Sequence, residues 1–279
     1  MDKIGSWARK GEVLQMKRVN KNRKILWAVV AVLIGTAVIV CIFLGNYLLK
    51  EKARQAEEAK KSMTYEEIAS EVIKEKETDT EQSDYQSPVD FEQLWELNQD
   101  AYAWIQIPGT NIDYPILQKE DGDQSYYLNT TLTGAEGYPG SIYTENYNVK
   151  DFQDFNTVIY GHDLIDGTMF SELHKYADRN FMDTNPYVYI YTPDKMLKYQ
   201  IFAAVVFDDR HLMVNFDFDN PSSYQLFLNE IYDLRDMQSV VKTDIPVTTE
   251  SRIITMSTCI AERPDNRWLV GAVLVDEEN

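Results

Sequence analysis

A mainly β domain, a barrel or a sandwich, is the fold that residues 88–279 predict. Short β-branched and aromatic runs recur at 104–107, 157–160, 187–191, 199–207, 252–257 and 268–275. Pro-Gly, Asn and Asp residues separate them, and turn formers between short apolar runs mark strands rather than helices. Helical spacing is confined to three stretches: 91–98 at the start of the domain, 169–176, and 222–237. The last carries Tyr224, Phe227, Leu228, Ile231 and Leu234 on one face, after an Asn-Pro-Ser-Ser start suited to capping. It reads as an insertion between strands.

Ahead of this domain the composition changes twice. Residues 1–24 carry Lys3, Arg9, Lys10, Lys17, Arg18, Lys21, Arg23 and Lys24 against Asp2 and Glu12. Residues 25–44 then hold no charge and are rich in Val, Ile, Leu and Ala. At ~1.5 Å per residue they span roughly 30 Å as a helix, the thickness of a bilayer's hydrocarbon core. An uncleaved transmembrane anchor is expected at 25–49. The basic excess places 1–24 in the cytoplasm and the rest of the chain outside the cell. A cleaved signal peptide would end a shorter apolar run, of about 7–15 residues, at a small-residue site, and no clear site of that kind follows residue 44. Residues 50–87 are dominated by Glu, Lys, Ala, Gln and Ser, with no Gly or Pro. With so few aliphatic residues they predict a charged, solvated helix or stalk lifting the domain off the membrane.

The formal net charge is −18, and the basic residues before residue 25 leave the outer part more acidic still. Such a surface repels phosphate backbones, which excludes nucleic acid as an expected partner. The acidic run Asp208, Asp209, Asp217 and Asp219 lacks the spacing of a calcium loop. Neither a metal nor a cofactor is called for.

Two cysteines are present. Cys41 lies in the apolar segment as a small side chain in lipid, so Cys259 has no partner for a disulfide. A free, oxidisable thiol in an extracellular domain points to catalysis. Cys259 follows the strand at 252–257, and Arg267 begins the strand at 268–275. If those strands are neighbours, thiol and guanidinium meet at one end of the sheet. His162 follows the strand at 157–160 and can converge on the same rim. A thiolate nucleophile, a proton-shuttling histidine and a fixed cation for the oxyanion are the groups acyl transfer needs. His174, His211 and Arg263 match no comparable motif, and Arg263 reads as a solvated loop charge. Tyr160, Ser257 and Thr258 are candidates to line a substrate groove.

Tyr-Gly-His at 160–162, Thr-Met-Ser-Thr-Cys at 255–259 and Arg-Trp-Leu-Val at 267–270 resemble the three signatures of sortases, the cysteine transpeptidases of Gram-positive surfaces. The similarity extends to the run at 103–116 and to Gly-Ser-Ile-Tyr at 140–143, and the opening and inserted helices resemble class B. The resemblance implies an eight-stranded sortase β-barrel with an N-terminal helix and a helix inserted before the cysteine strand. It implies Cys259 as nucleophile, His162 as general acid/base and Arg267 as the substrate-positioning and oxyanion residue. The implied partners are a sorting-signal peptide, cleaved at a Thr-Gly-like bond, and an amine on a cell-wall precursor or a pilin lysine. Met256 stands in place of the family's leucine, a volume-conserving change, and Ile260 replaces a residue that is often polar. Two other functions share these residues: a cysteine peptidase with water as acceptor, and a silent peptide-binding adhesin.

Overall fold

Every buried backbone amide in a sheet needs a partner, and this chain meets that demand by closing its sheet on itself. The computed structural model describes residues 27, 35–36, 38–56, 60, 62–74, 85–234, 236–261 and 263–279. Among the described residues there are nine strands: β1 Ala101–Gln106, β2 Asp113–Gln118, β3 Ile142–Thr144, β4 Asn156–Tyr160, β5 Tyr187–Tyr191, β6 Met196–Asp208, β7 Val240–Val241, β8 Ile253–Cys259 and β9 Asn266–Glu278. Their order is β5-β1-β2-β3-β4-β8-β9-β6-β7, and a further β5–β6 pairing closes the sheet. Eight strands therefore form the barrel, as expected, and the two-residue β7 pairs with the outside edge of β6. The pairs β2–β3 and β4–β8 are parallel, and the other pairs are antiparallel.

Side chains alternate across each strand, so the barrel has an inner and an outer set. The inner set includes Ile105, Ile116, Ile142, Ile159, Ile190, Ile201, Met256 and Val270, one from each barrel strand, in a single apolar cluster. The outer set is covered in two places. Helix α5, Pro221–Asp233, lays Tyr224, Phe227, Leu228 and Ile231 over Val205, Phe207, Ile253 and Leu269. Asn220 caps it by accepting from the Ser222 amide, with Pro221 in the first turn, as the Asn-Pro-Ser-Ser start predicts. Under α5 the second half of β6 is buried on both faces, whereas its first half alternates.

The second cover is α1, Tyr65–Val72, with α2, Phe91–Leu97. Ile68, Val72, Phe91 and Leu94 pack with Trp104, Leu117, Tyr127 and Tyr143. The stretch read as a solvated spacer therefore contributes a packed helix. A capping box of Thr64 and Glu67 starts it, and the Tyr65 hydroxyl donates to the Gly140 carbonyl at 2.7 Å. Burial raises that phenol's pKa to about 12. Two apolar side chains four residues apart make one turn of contact, which average composition over 38 positions conceals.

Three strands, β2, β3 and the two-residue β7, are absent from the strand runs read by composition. Pro115 lies inside β2, but the pairing with β3 begins one residue later, at Ile116. The helix expected at 169–176 is a 3₁₀ segment, Ser171–Ala177, followed by α3, Arg179–Thr184; α4 is a single turn at Leu212–Asn215. Phe170, Leu173 and Tyr176 are all fully buried, and a spacing of three keeps one face inward only in the tighter helix.

The chain divides into two units, Met1–Ala59 and Lys60–Asn279. In the first, residues 38–56 are helical, and the expected anchor at 25–49 lies partly outside the described residues, which leave out 25, 26, 28–34 and 37. Among those described, no helix is long and apolar enough to cross a membrane. If α1 is part of the folded unit, Ile68→Ala lowers its stability by ~2–5 kcal/mol. Denaturant unfolding of the full chain measures this, and an unchanged midpoint would mean α1 contributes no packing.

Candidate active site

Parallel strands β4 and β8 fix the level of the site. Tyr160 is in register with Ser257, and the Gly161 amide donates to the Ser257 carbonyl at 3.2 Å. His162 lies two residues past Tyr160 as Cys259 lies two past Ser257, so both reach the same rim of the barrel. Antiparallel β8 and β9 add the third group: Cys259 is the direct register partner of Arg267. Residues so paired point to one face with Cβ atoms about 4.5–5.5 Å apart. Glycine is required at 161 because a Cβ there would lie 2.5 Å from Ile142 Cδ1 and 2.7 Å from Phe170 Cδ2.

The thiol is free and exposed, at the end of β8. His162 is half-buried, its Nε2 2.6 Å from the Leu128 carbonyl and its ring edge-on to Tyr138 at 4.9 Å. A carbonyl only accepts, so Nε2 carries hydrogen and Nδ1 is the nitrogen left to exchange a proton. Arg267 donates from Nη1 to the carbonyls of Pro264 and Asn266, at 2.9 and 2.8 Å, which ties its guanidinium to the β8–β9 turn. Arg263 differs from the solvated charge expected: it pairs with Asp236 at 2.8 Å. The Gln238 amide, and then Arg263, hold the Asp236 carboxyl below its ordinary range.

Ser257 shares the outer face with Cys259, beside Tyr160. Tyr143 stacks on Tyr160 at 5.4 Å, and the phenol of Tyr143 is pushed up by burial, by Glu145 and, more weakly, by Cys259. Tyr160 is likewise raised by burial and Glu145, so its hydroxyl is protonated across the working pH range. Thr258 is turned the other way: it is 2 % exposed and pairs in register with Trp268, whose side chain belongs to the inner cluster. Strand alternation places it behind the thiol rather than beside it.

Two histidines without a motif also sit here. His211 Nε2 lies 2.7 Å from Glu145 Oε2, with its ring edge-on to Tyr147 at 5.5 Å and 6.4 Å from that of Tyr160. His174 Nε2 lies 3.1 Å from the carbonyl oxygen of Cys259 itself. The latter contact joins positions 85 apart, and no local pattern announces it.

Tyr160 packs against both outer covers, the α5 patch and the α1–α2 patch, so the outer strand surface that carries Tyr160, Ser257 and Cys259 lies where the two covers meet. A separate recess of about 470 Å³, lined by Trp95, Tyr102, Lys150 and Thr192, lies at the other end of the barrel, where β1 begins and β5 ends. Among the described residues, no cluster of His, Cys, Asp and Glu is arranged to hold a metal.

The sortase domain model matches residues 105–275. The chain belongs to the sortase family, class B. It is 34% identical over 170 residues to sortase B of Listeria monocytogenes, covering 61% of this chain and 67% of that one. Sortase B of Staphylococcus aureus is 32% identical over 169 residues, with the same shares covered. The crystal structure of Clostridium perfringens sortase B superposes with a TM-score of 0.59 at 30% identity, over 67% of this chain and all of that one. This sortase is thus a cysteine transpeptidase of the cell-surface type, a family that acts on sorting signals and cell-wall precursors.

Proposed function

We propose that Cys259 is the nucleophile of this sortase, His162 its general acid/base and Arg267 its oxyanion and substrate-positioning residue. The observation that carries the reading is the double register, Tyr160 with Ser257 and Cys259 with Arg267, which supports one rim for all three signatures. The Cys259 thiolate attacks the carbonyl carbon of a Thr-Gly-like bond in a sorting signal lying along the outer strand surface beside Tyr160. The carbonyl π electrons move onto oxygen, where the Arg267 donors stabilise the charge. Collapse breaks the C–N bond, the leaving amine takes its proton from His162, and a thioester remains on Cys259. The amine of a cell-wall precursor or a pilin lysine then attacks that thioester, His162 takes up the amine's proton, and the thiolate is released. Tyr160 and Ser257 line the acyl-side groove; Thr258 supports it from the barrel interior.

Residues 25–49 act as a single-pass anchor, with 1–24 cytoplasmic and the catalytic unit outside. This rests on the uncharged run at 25–44 and the basic residues before it. The full chain is expected to sediment with membranes and a chain lacking residues 1–49 to stay in solution; sedimentation of the truncated chain with membranes would overturn the assignment.

Incubating the enzyme with a Thr-Gly peptide and triglycine is expected to give a ligated product and a thioester adduct on Cys259, both detectable by mass spectrometry. Hydrolysed peptide alone would favour the peptidase reading, and absence of any adduct the adhesin. Cys259→Ala and His162→Ala abolish turnover while thermal unfolding stays close to the parent, and activity retained in Cys259→Ala would remove the assignment.

Arg267→Lys keeps the charge but loses the planar fork of donors, with an expected fall in turnover on the order of 10²-fold. Arg263→Lys retains the Asp236 pair and stays near the parent. Assaying both with the same peptide decides between them: an equal loss, or a loss in Arg263→Lys alone, would show that the wrong arginine has been chosen.

A further inference from the structure

The backbone of Cys259 is held from behind by a side chain that no sortase signature contains. In the β4–β8 ladder the Ser257 carbonyl receives the Gly161 amide at 3.2 Å. Two residues on, the next carbonyl on that edge is Cys259's, which a continued parallel ladder would match with the Asp163 amide. The ladder stops, because the chain after His162 turns through a loop in which Met169 takes φ 56° and the Phe170 amide returns to the His162 carbonyl at 3.0 Å. The vacated position is taken by His174, whose Nε2 lies 3.1 Å from the Cys259 oxygen.

Three contacts fix the direction of that ring. It stacks on Trp268 at 5.5 Å and 26°, and Trp268 is itself pinned by its indole N–H donating to the Leu173 carbonyl at 2.8 Å. Asp163 Oδ2 lies 3.4 Å from the same Nε2. Both atoms facing Nε2 are acceptors, so that nitrogen carries hydrogen. The remaining neighbouring charges, Glu172 and Lys175, pair with each other at 2.7 Å. Trp268 belongs to the inner face of the barrel while Cys259 Sγ is on the outer face, so His174 acts on the nucleophile's peptide from the side opposite the substrate.

We infer that His174 is a positioning residue for this transpeptidase: its Nε2–H replaces the missing ladder amide and fixes the Cys259 carbonyl, and through it the direction of the Cα–Cβ bond that aims the thiol between His162 and Arg267. The inference rests on Cys259 being the nucleophile. A nucleophile released from its geometry loses rate in the chemical step, while binding of a peptide along Tyr143 and Tyr160 is untouched.

Two substitutions separate the donor from the packing. His174→Phe keeps a ring on Trp268 and loses the N–H; His174→Gln loses the ring and keeps an amide N–H that reaches about as far. With a Thr-Gly peptide as donor and triglycine as acceptor, kcat is expected to fall roughly 10- to 100-fold in His174→Phe with KM little changed, and to stay within about threefold of the parent in His174→Gln. Thermal unfolding of both is followed in parallel. An unaffected His174→Phe, or equal losses in the two variants, would overturn the inference and leave His174 a packing residue. Cys259→Ala is run alongside: if it still forms an adduct, the nucleophile assignment has failed, an outcome distinct from failure of the positioning role in an enzyme whose Cys259 is acylated.

Discussion

The parallel pairing of β4 with β8 is the constraint on which the site depends. Its residues, such as Asn156 with Ile253 and Tyr160 with Ser257, are nearly a hundred positions apart along the chain. Parallel neighbours cannot be joined by a tight turn, so the intervening chain must leave the rim, cross the barrel and come back. It does so through β5, β6, α5 and β7, and the crossover closes the barrel through β5–β6 and covers its outside with α5. Only then do two strands end side by side at one rim, one running into His162 and the other ending in Cys259. The antiparallel turn to β9 is local by comparison and delivers Arg267 opposite the thiol.

Alternation along those strands sorts the rim into two chemical environments. Ser257, Cys259 and Arg267 face outward, on the side of the barrel that carries the two helix-covered apolar patches. Met256 and Trp268 face inward, and Thr258 with them. The outer side leaves the thiol exposed to solvent; the inner side gives a packed backing. The groups around the thiol are anchored largely by backbone oxygens: His162 to Leu128, His174 to Cys259, Arg267 to Pro264 and Asn266. A carbonyl fixed in a turn or strand has little freedom, which is how side chains on loops keep a direction.

The buried tyrosines Tyr143 and Tyr160 take part in both roles. Their rings stack beneath the outer covers, and burial beside Glu145 keeps their hydroxyls neutral. Glu145 in turn pairs with His211 from the segment leading into α4, which ties the chain after β3 to the chain after β6.

From the sequence alone came the class of fold, six of the nine strands, the opening and inserted helices, and the residues of the three signatures. These are properties of spacing: period-two and helical patterns, a capping Asn-Pro, and a cysteine eight positions before an arginine, a distance one hairpin spans. Other features were decided by the tertiary structure. Helix α1 hides in a charged stretch because two buried side chains, Ile68 and Val72, suffice for one turn of contact. The segment after His162 winds as 3₁₀ because three aromatic and aliphatic side chains, Phe170, Leu173 and Tyr176, must all face the barrel interior. His174 and His211 acquire partners from strands and loops far along the chain, and Thr258 acquires the inner face from the register of β8 with β9. A sequence fixes which residues can lie on one face of one element; which elements become neighbours, and which carbonyl a ladder leaves open, follows from the closure of the whole sheet.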